Sequence, residues 1–289
     1  MKISKILFFL LLLCNVGFTQ NKPRVMVIFA HPDEGEIYTG GITALYTQMG
    51  CEVKFLSLTN GDAGHYSMEP AKLAKLRYGE AMASKKILRL ADYEVLDIHD
   101  KYLKNTKENQ NKVIEIIKEF KPDIVFSYYP AHGGHPDNMA AGYIVRDAFR
   151  DLNIDSLPVC FYIRDFYTVH FSYMPDFAVP IDSVWDTKLA SCAVMKTQVA
   201  DAIPYKLGIL DEVRSDPEKQ KKLIYDNTYP FSKVTPDIKA VLGKWVGDKV
   251  ASTTKYAEAF SVAEFGRQVN DKELTNLLPN SGNRFKREY

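Results

Sequence analysis

The stretch Arg24-Val25-Met26-Val27-Ile28-Phe29-Ala30 is apolar almost from end to end, and it stops at His31-Pro32-Asp33-Glu34-Gly35-Glu36, a loop dense in ionisable side chains. A strand without polar alternation is buried on both faces, which requires helices on both sides of its sheet. The segments that follow keep that rhythm. Strand-like runs lie at Glu52–Thr59, Tyr93–Ile98, Asp123–Tyr129 and Val159–Ile163. Between them fall helix-like stretches: one opening at Gly40-Gly41 and running to about Gly50, then Pro70–Leu90, Glu108–Phe120 and Asn138–Leu152. Val113, Ile116, Ile117 and Phe120 have helical spacing. Alternation of this kind predicts βαβ units, hence an α/β, Rossmann-like three-layer fold with a mostly parallel sheet. Further on, the pattern predicts a strand at Phe177–Ile181, a helix from Ser183 to Ala202 ended by Pro204, and helical spacing over Pro236–Val250. Asp211–Val234 fits no single element, and the polar residues from Asp271 are expected to fray.

Composition narrows the class. Of 289 residues, 46% are hydrophobic and 25% charged, with Lys+Arg 37 against Asp+Glu 36. Those figures exclude a disordered chain and a disulfide-dense mini-protein, and a nucleic-acid binder working by bulk charge. Lys2 and Lys5 precede an apolar run, Ile6 to Leu13, that is too short to span a bilayer. This pattern predicts a cleavable export signal over residues 1–20, a folded domain over 21–270 and a polar tail over 271–289. The mature chain is then expected in the periplasm or outside the cell, with no stable membrane insertion. Cys51, Cys160 and Cys192 remain, widely spaced and without a CxxC pair, so they read as buried small hydrophobes.

The tripeptide His-Pro-Asp occurs twice, as His31-Pro32-Asp33 after the first strand and as His135-Pro136-Asp137 a few residues after the fourth. Ligands of open parallel sheets bind outside the carboxyl ends of the strands, so both motifs fall on the functional edge. Imidazole with carboxylate is a common ligand set for catalytic zinc, and a spare carboxylate beside it serves as general base. The competing reading is a pair of helix caps, with Asp33 and Asp137 as cap residues beside Pro32 and Pro136. No GxGxxG follows the first strand, and an acidic loop would repel phosphate, which argues against a nucleotide-binding relative.

Ala30 to Gly41, AHPDEGEIYTGG, resembles the signature of the PIG-L/LmbE-like family of metal-dependent N-acetylglucosaminyl deacetylases, usually AHPDDE before a Gly-Gly pair. Ordered weaker matches follow. Leu58 to Gly64 resembles an LTxGExG turn, and Arg77 with Glu80 an RxxE segment. Lys121 to Val125 precedes the second motif, Val184 to Gln198 resembles a later helix, and Tyr256 to Phe260 a closing segment. The resemblance implies His31 and Glu34 as metal ligands, Asp33 as general base and His135 as the group serving the tetrahedral intermediate and leaving amine. It further implies Asp137 as the residue orienting His135, with Arg77 and Asp62 toward substrate. The implied cofactor is a divalent metal, Zn2+ above others, and the implied substrate an N-acetylated amino sugar or glycoconjugate. Two positions depart from the pattern. Glu34 stands where Asp is usual, and Asn138 where the third ligand is a His. An amide oxygen is a weaker zinc donor than imidazole. Three arrangements stay open: Asn138 ligates weakly, His132 takes its place, or the metal is held poorly. In the last case the chain is a carbohydrate-binding relative without catalysis. A hydrolase of another amide or ester uses the same water activation. Of the other histidines, His65 in the loop after the LTxGExG-like turn reads as a surface residue, His99 ends the third strand near the site, and His170 lies in an aromatic segment expected to pack in the core or as a lid.

Overall fold

The computed structural model describes residues 22–130, 134–165 and 174–279. The proposed export signal, His132 and His170 lie outside those residues. Seven strands form one sheet: β1 Val25–Phe29, β2 Val53–Ser57, β3 Asp92–Val95, β4 Ile124–Ser127, β5 Val159–Ile163, β6 Phe177–Pro180 and β7 Ala257–Gly266. Their order is β3-β2-β1-β4-β5-β7-β6. The pairings from β3 through β5 are parallel, whereas β7 runs antiparallel to β5 and β6. Strand order reverses at β1, which pairs with β2 on one side and β4 on the other. The switch point of the sheet is therefore the gap between the carboxyl ends of β1 and β4. The expected α/β fold is the one observed.

Helix α1 (Glu34–Gln48) packs on β1, as does α4 (Pro136–Asp151). The partners of α1 are α2 (Pro70–Leu88) and α5 (Trp185–Ala193), while α4 packs on α3 (Lys107–Phe120). Two helix layers thus enclose β1, and every residue of that strand is buried. The apolar face expected in α3 is buried, and Thr106 caps the helix by accepting from the Asn109 amide. Cys51, Cys160 and Cys192 are buried and free. Among the described residues, no helix is long and apolar enough to cross a membrane.

Three expectations need correction. α1 begins at Glu34, so Gly40 and Gly41 lie in mid-helix. They serve close contact instead, since a Cβ on Gly41 would stand 2.7 Å from Ile181 and 2.9 Å from Glu258 Oε1. The helix expected to end at Pro204 breaks after Ala193, turns helical again over Thr197–Ala202 and runs on through Pro204, which sits in the first turn of Ile203–Lys206. Asp211–Val234, which fits no single element by its pattern, holds the end of a short helix, Leu210–Ser215, and α6 (Pro217–Thr228), and the helical spacing expected over Pro236–Val250 is met by α7 (Pro236–Val246). The tail does not fray at Asp271. It forms α8 (Asp271–Leu277), opened by an Asn270/Glu273 capping box, with Leu274 and Leu278 buried.

Candidate active site

The site begins where β1 leaves the sheet. The Asp33 and Glu34 amides donate to the His31 carbonyl at 2.8 and 3.2 Å, which closes a tight turn. Glu34 folds back on that turn, and its Oε2 accepts from the Ala30 and His31 amides at 3.0 and 2.8 Å. Thr59, in the turn after β2, donates from both its amide and its hydroxyl to the Ala30 carbonyl. The imidazole is thus fixed to two strand ends before any ligand arrives.

His31 has carboxylates on both sides. Its Nδ1 lies 3.2 Å from Glu34 Oε1, and its Nε2 lies 3.0 Å from Asp100 Oδ1 and 3.4 Å from Asp137 Oδ2. The His135 ring meets it edge-on at 5.0 Å. One donor atom each from His31, His135 and Asp137 falls within a 4.8 Å cluster. Two imidazoles and several carboxylates suit a divalent cation. The edge of a tetrahedron with bonds of about 2.0–2.1 Å is about 3.3–3.4 Å, close to the spacing on both sides of His31. Asn138 supplies an independent sign. It is buried, and its side-chain oxygen has no hydrogen-bond partner among the described residues. A buried acceptor without a donor is costly and calls for a ligand.

The second motif sits on the first turn of α4. His135 is its N-cap and accepts from the Asp137 amide through Nδ1 at 3.3 Å. In a neutral imidazole the other nitrogen then carries the proton, so His135 presents an N–H at the exposed mouth of the site. Asp137 Oδ2 also accepts from the Lys101 amide at 2.7 Å, tying the β3 and β4 loops together.

Arg77 lies beneath. Its Nη2 donates to Asp33 Oδ1 at 2.8 Å and its Nη1 to the Gly61 carbonyl at 3.1 Å. Gly61 has φ +65, and a Cβ there would meet the Arg77 guanidinium at 2.5 Å, so the turn demands glycine. Arg77 therefore holds Asp33 in place. Asp62 is likewise committed, accepting from the Asp100 amide at 3.0 Å while its other oxygen binds His99 Nδ1.

Sequence reasoning missed Asp100. The available signal was Ile98-His99-Asp100, a His-Asp pair leaving the third strand at the same edge, without the proline that marks the other two motifs. His65 Nε2 lies 3.6 Å from Asp201 Oδ2.

Burial and neighbours set the charges. Burial works to lower the pKa of His31, but Glu34, Asp100 and Asp137 outweigh it and raise the value well above the usual imidazole range. Burial raises Asp33, with Arg77 opposing. Glu34 and Asp100 are held low against burial, chiefly by His31. Burial pushes Glu36, one turn into α1, up to about 8.

Fold and site together define an α/β domain with an acidic, two-histidine centre at the switch point of a parallel sheet. Residues 26–149 match the family model described as "PIG-L: GlcNAc-PI de-N-acetylase", and this stretch is a PIG-L family domain. The chain is similar to the diacetylchitobiose deacetylase of Thermococcus kodakarensis, 28% identical over 211 residues covering 66% of this chain and 78% of the relative. Among solved structures, the N,N'-diacetylchitobiose deacetylase of Pyrococcus horikoshii superposes with TM-score 0.61 at 20% identity, covering 84% of each chain. GalB, the 4-carboxy-2-hydroxymuconate hydratase of Pseudomonas putida KT2440, superposes with TM-score 0.65 at 21% identity, over 86% of this chain and 99% of that one. A deacetylase and a hydratase on one fold mean that the reaction must be argued from the site.

Proposed function

We propose that this protein is a metal-dependent hydrolase that removes the acetyl group from an N-acetylated amino sugar. The observation that carries the reading is the meeting of His31, His135 and Asp137 at the switch point, next to an Asp33 held by Arg77. Its relatives' names point to N-acetylated sugars as the substrate class. His31 through Nδ1, Glu34 through Oε1 and the unpartnered Asn138 oxygen would hold the ion, which we take to be zinc. Asp100 and Asp137 fix the other His31 nitrogen, as carboxylates do behind metal-bound histidines. A bound divalent cation polarises the acetyl carbonyl and acidifies water.

The chain's own residues supply the rest. Asp33 accepts the proton of the attacking water, and Arg77 keeps that carboxylate aimed. The N–H that His135 turns to the mouth donates a hydrogen bond to the developing oxyanion, and the proton that Asp33 took from the water passes to the departing amine, which leaves Asp33 ionised again. Export directed by residues 1–20 would place the substrate among envelope or extracellular glycans. N-terminal sequencing of the exported protein checks this, and an intact Met1 counts against it.

The decisive experiment combines metal analysis with acetate release from N-acetylglucosamine and its oligomers. The native protein should carry close to one ion and release acetate. Glu34→Ala should lose the ion, whereas Asp137→Asn and His135→Asn keep it, the latter without turnover. Loss of metal in Asp137→Asn or His135→Asn, with retention in Glu34→Ala, would move the ion to the other side of His31. Asn138→His should bind metal at least as tightly. If only that variant holds metal and turns over, the native chain is a binding relative without catalysis.

A further inference from the structure

The cleft loops end in exposed aromatic stacks that the hydrolytic chemistry does not use. After β2, the Gly64 backbone forms part of the cleft wall: a Cβ there would stand 3.0 Å from Arg77 Nη1 and 3.6 Å from Asp100 Oδ2. The next residue, His65, is locked, its Nδ1 accepting from the Ser67 and Met68 amides at 3.1 and 3.2 Å. Tyr66 stacks on that ring at 4.3 Å and 24°, and Tyr205 stacks on Tyr66 at 3.7 Å and 11°. Tyr205 is 50% exposed. After β3, two residues beyond Asp100, Tyr102 is 63% exposed and stacks on His99 at 5.1 Å and 22°. The His99 ring is itself pinned by Asp62. Each stack is thus anchored at its base to a residue that shapes the cleft and exposes a tyrosine at its outer end.

We infer that these two stacks are sugar platforms and that the preferred substrate is an oligosaccharide rather than a single amino sugar. The inference rests on the deacetylase reading for the position of the reacting unit. Pyranose rings present flat C–H faces that pack on aromatic rings, and a ring already held in a stack loses little rotamer freedom on binding. Both loops leave the sheet on the β2–β3 side of His31, so a saccharide with its acetamido group at the metal would extend neighbouring units across that side. Tyrosine adds a hydroxyl for the sugar's own hydroxyls, which suits a glycan better than an apolar peptide.

The test compares N-acetylglucosamine with N-acetylchitotetraose on the full chain, for the native protein and for Tyr102→Ala, Tyr205→Ala, Tyr102→Phe and Tyr205→Phe. The native protein should have a lower KM for the tetramer. Each alanine should raise that KM by about 2- to 12-fold, the equivalent of one aromatic contact, and shrink the length preference with kcat little changed. Each phenylalanine, which keeps the ring face and lacks only the hydroxyl, should recover most of it. Equal constants for both lengths in the native protein, or alanines that shift both substrates alike, would overturn the platforms while leaving the deacetylase reading intact. If no acetate is released from either, calorimetric titration with the tetramer decides. Binding that the alanines weaken keeps the platforms without that reading, and no binding removes them.

Discussion

Two clusters of buried charge flank helix α1, and they are built differently. On the β7 side, Lys188 Nζ lies 2.6 Å from Glu258 Oε1 and donates to Ser232 Oγ at 2.9 Å. The Glu258 oxygens also accept from the Gly41 and Ile42 amides at 2.8 and 2.7 Å. Lys188 and Glu258 are 0% and 1% exposed, one charge of each sign, and each is bonded to the other and to further partners. At the other end of the helix, Asp33, Glu34, Asp100 and Asp137 outnumber Arg77 and His31, and Asn138 keeps an unpartnered oxygen. The first cluster is neutral and closed within itself, as a structural knot must be. The second carries surplus negative charge and an orphaned acceptor, which a ligand of positive charge resolves together. Completeness separates the structural cluster from the functional one, although both mix Lys or Arg with Glu or Asp and both bury them.

Asp33→Asn probes the incomplete cluster with the largest expected effect. Asparagine still accepts from Arg77 but takes no proton, so turnover should fall about 10²- to 10⁴-fold with the melting temperature nearly unchanged. A variant that unfolds would mean Asp33 belongs to a structural cluster after all. Lys188→Met is the opposite case. It leaves Glu258 charged and buried, which should cost about 3–5 kcal/mol in urea unfolding. Turnover per folded molecule at low temperature should survive. Near-native stability in that variant would break the contrast from the other side.

Metal removal sharpens it further. A cation at about a hundred times its dissociation constant stabilises the native state by about 2.7 kcal/mol. For a chain of this size that is roughly 5–10 °C in melting temperature. The shift should vanish in His31→Ala and persist in Lys188→Met. Calorimetry with and without chelator reads both.

The legible parts of the fold were those written in local pattern. The apolar run of β1, the helical spacing in α3 and the repeated His-Pro-Asp motif placed the sheet, its edge and the meeting of His31 with His135. What escaped notice was set by distant contacts. Gly40-Gly41 reads as a helix opening because glycine is a poor helix former, yet Gly41 lies against Glu258, 217 residues away in the chain, and Gly40 against Lys188. Asp100 carries no motif, and its role follows only from β3 ending at the same edge as β1. The C-terminal helix was readable in principle. Asn270 and Glu273 have capping-box spacing and Leu274 and Leu278 lie one turn apart, but the polarity of the surrounding tail hid them.

Two helical glycines give the smallest and cleanest contrast. Gly41 in α1 lies against the knot, where an added methyl would meet Ile181 at 2.7 and 2.8 Å and Glu258 Oε1 at 2.9 Å. Ile181 is itself fully buried and the Glu258 carboxylate is held by two amides and a lysine, so neither neighbour has room to yield. Gly41→Ala should therefore cost about 1–3 kcal/mol, the usual penalty for overpacking. Gly79 lies on the exposed face of α2, and a Cβ there would meet nothing within 4 Å. With no steric cost, Gly79→Ala keeps only the gain in helix propensity and the reduced freedom of the unfolded chain, about 0.5–1 kcal/mol of added stability. Urea unfolding of the two variants beside the native protein should show shifts of opposite sign. A Gly41→Ala protein as stable as the native one would mean that the contact between α1 and Glu258 is loose, and the description of that cluster as closed would fall with it.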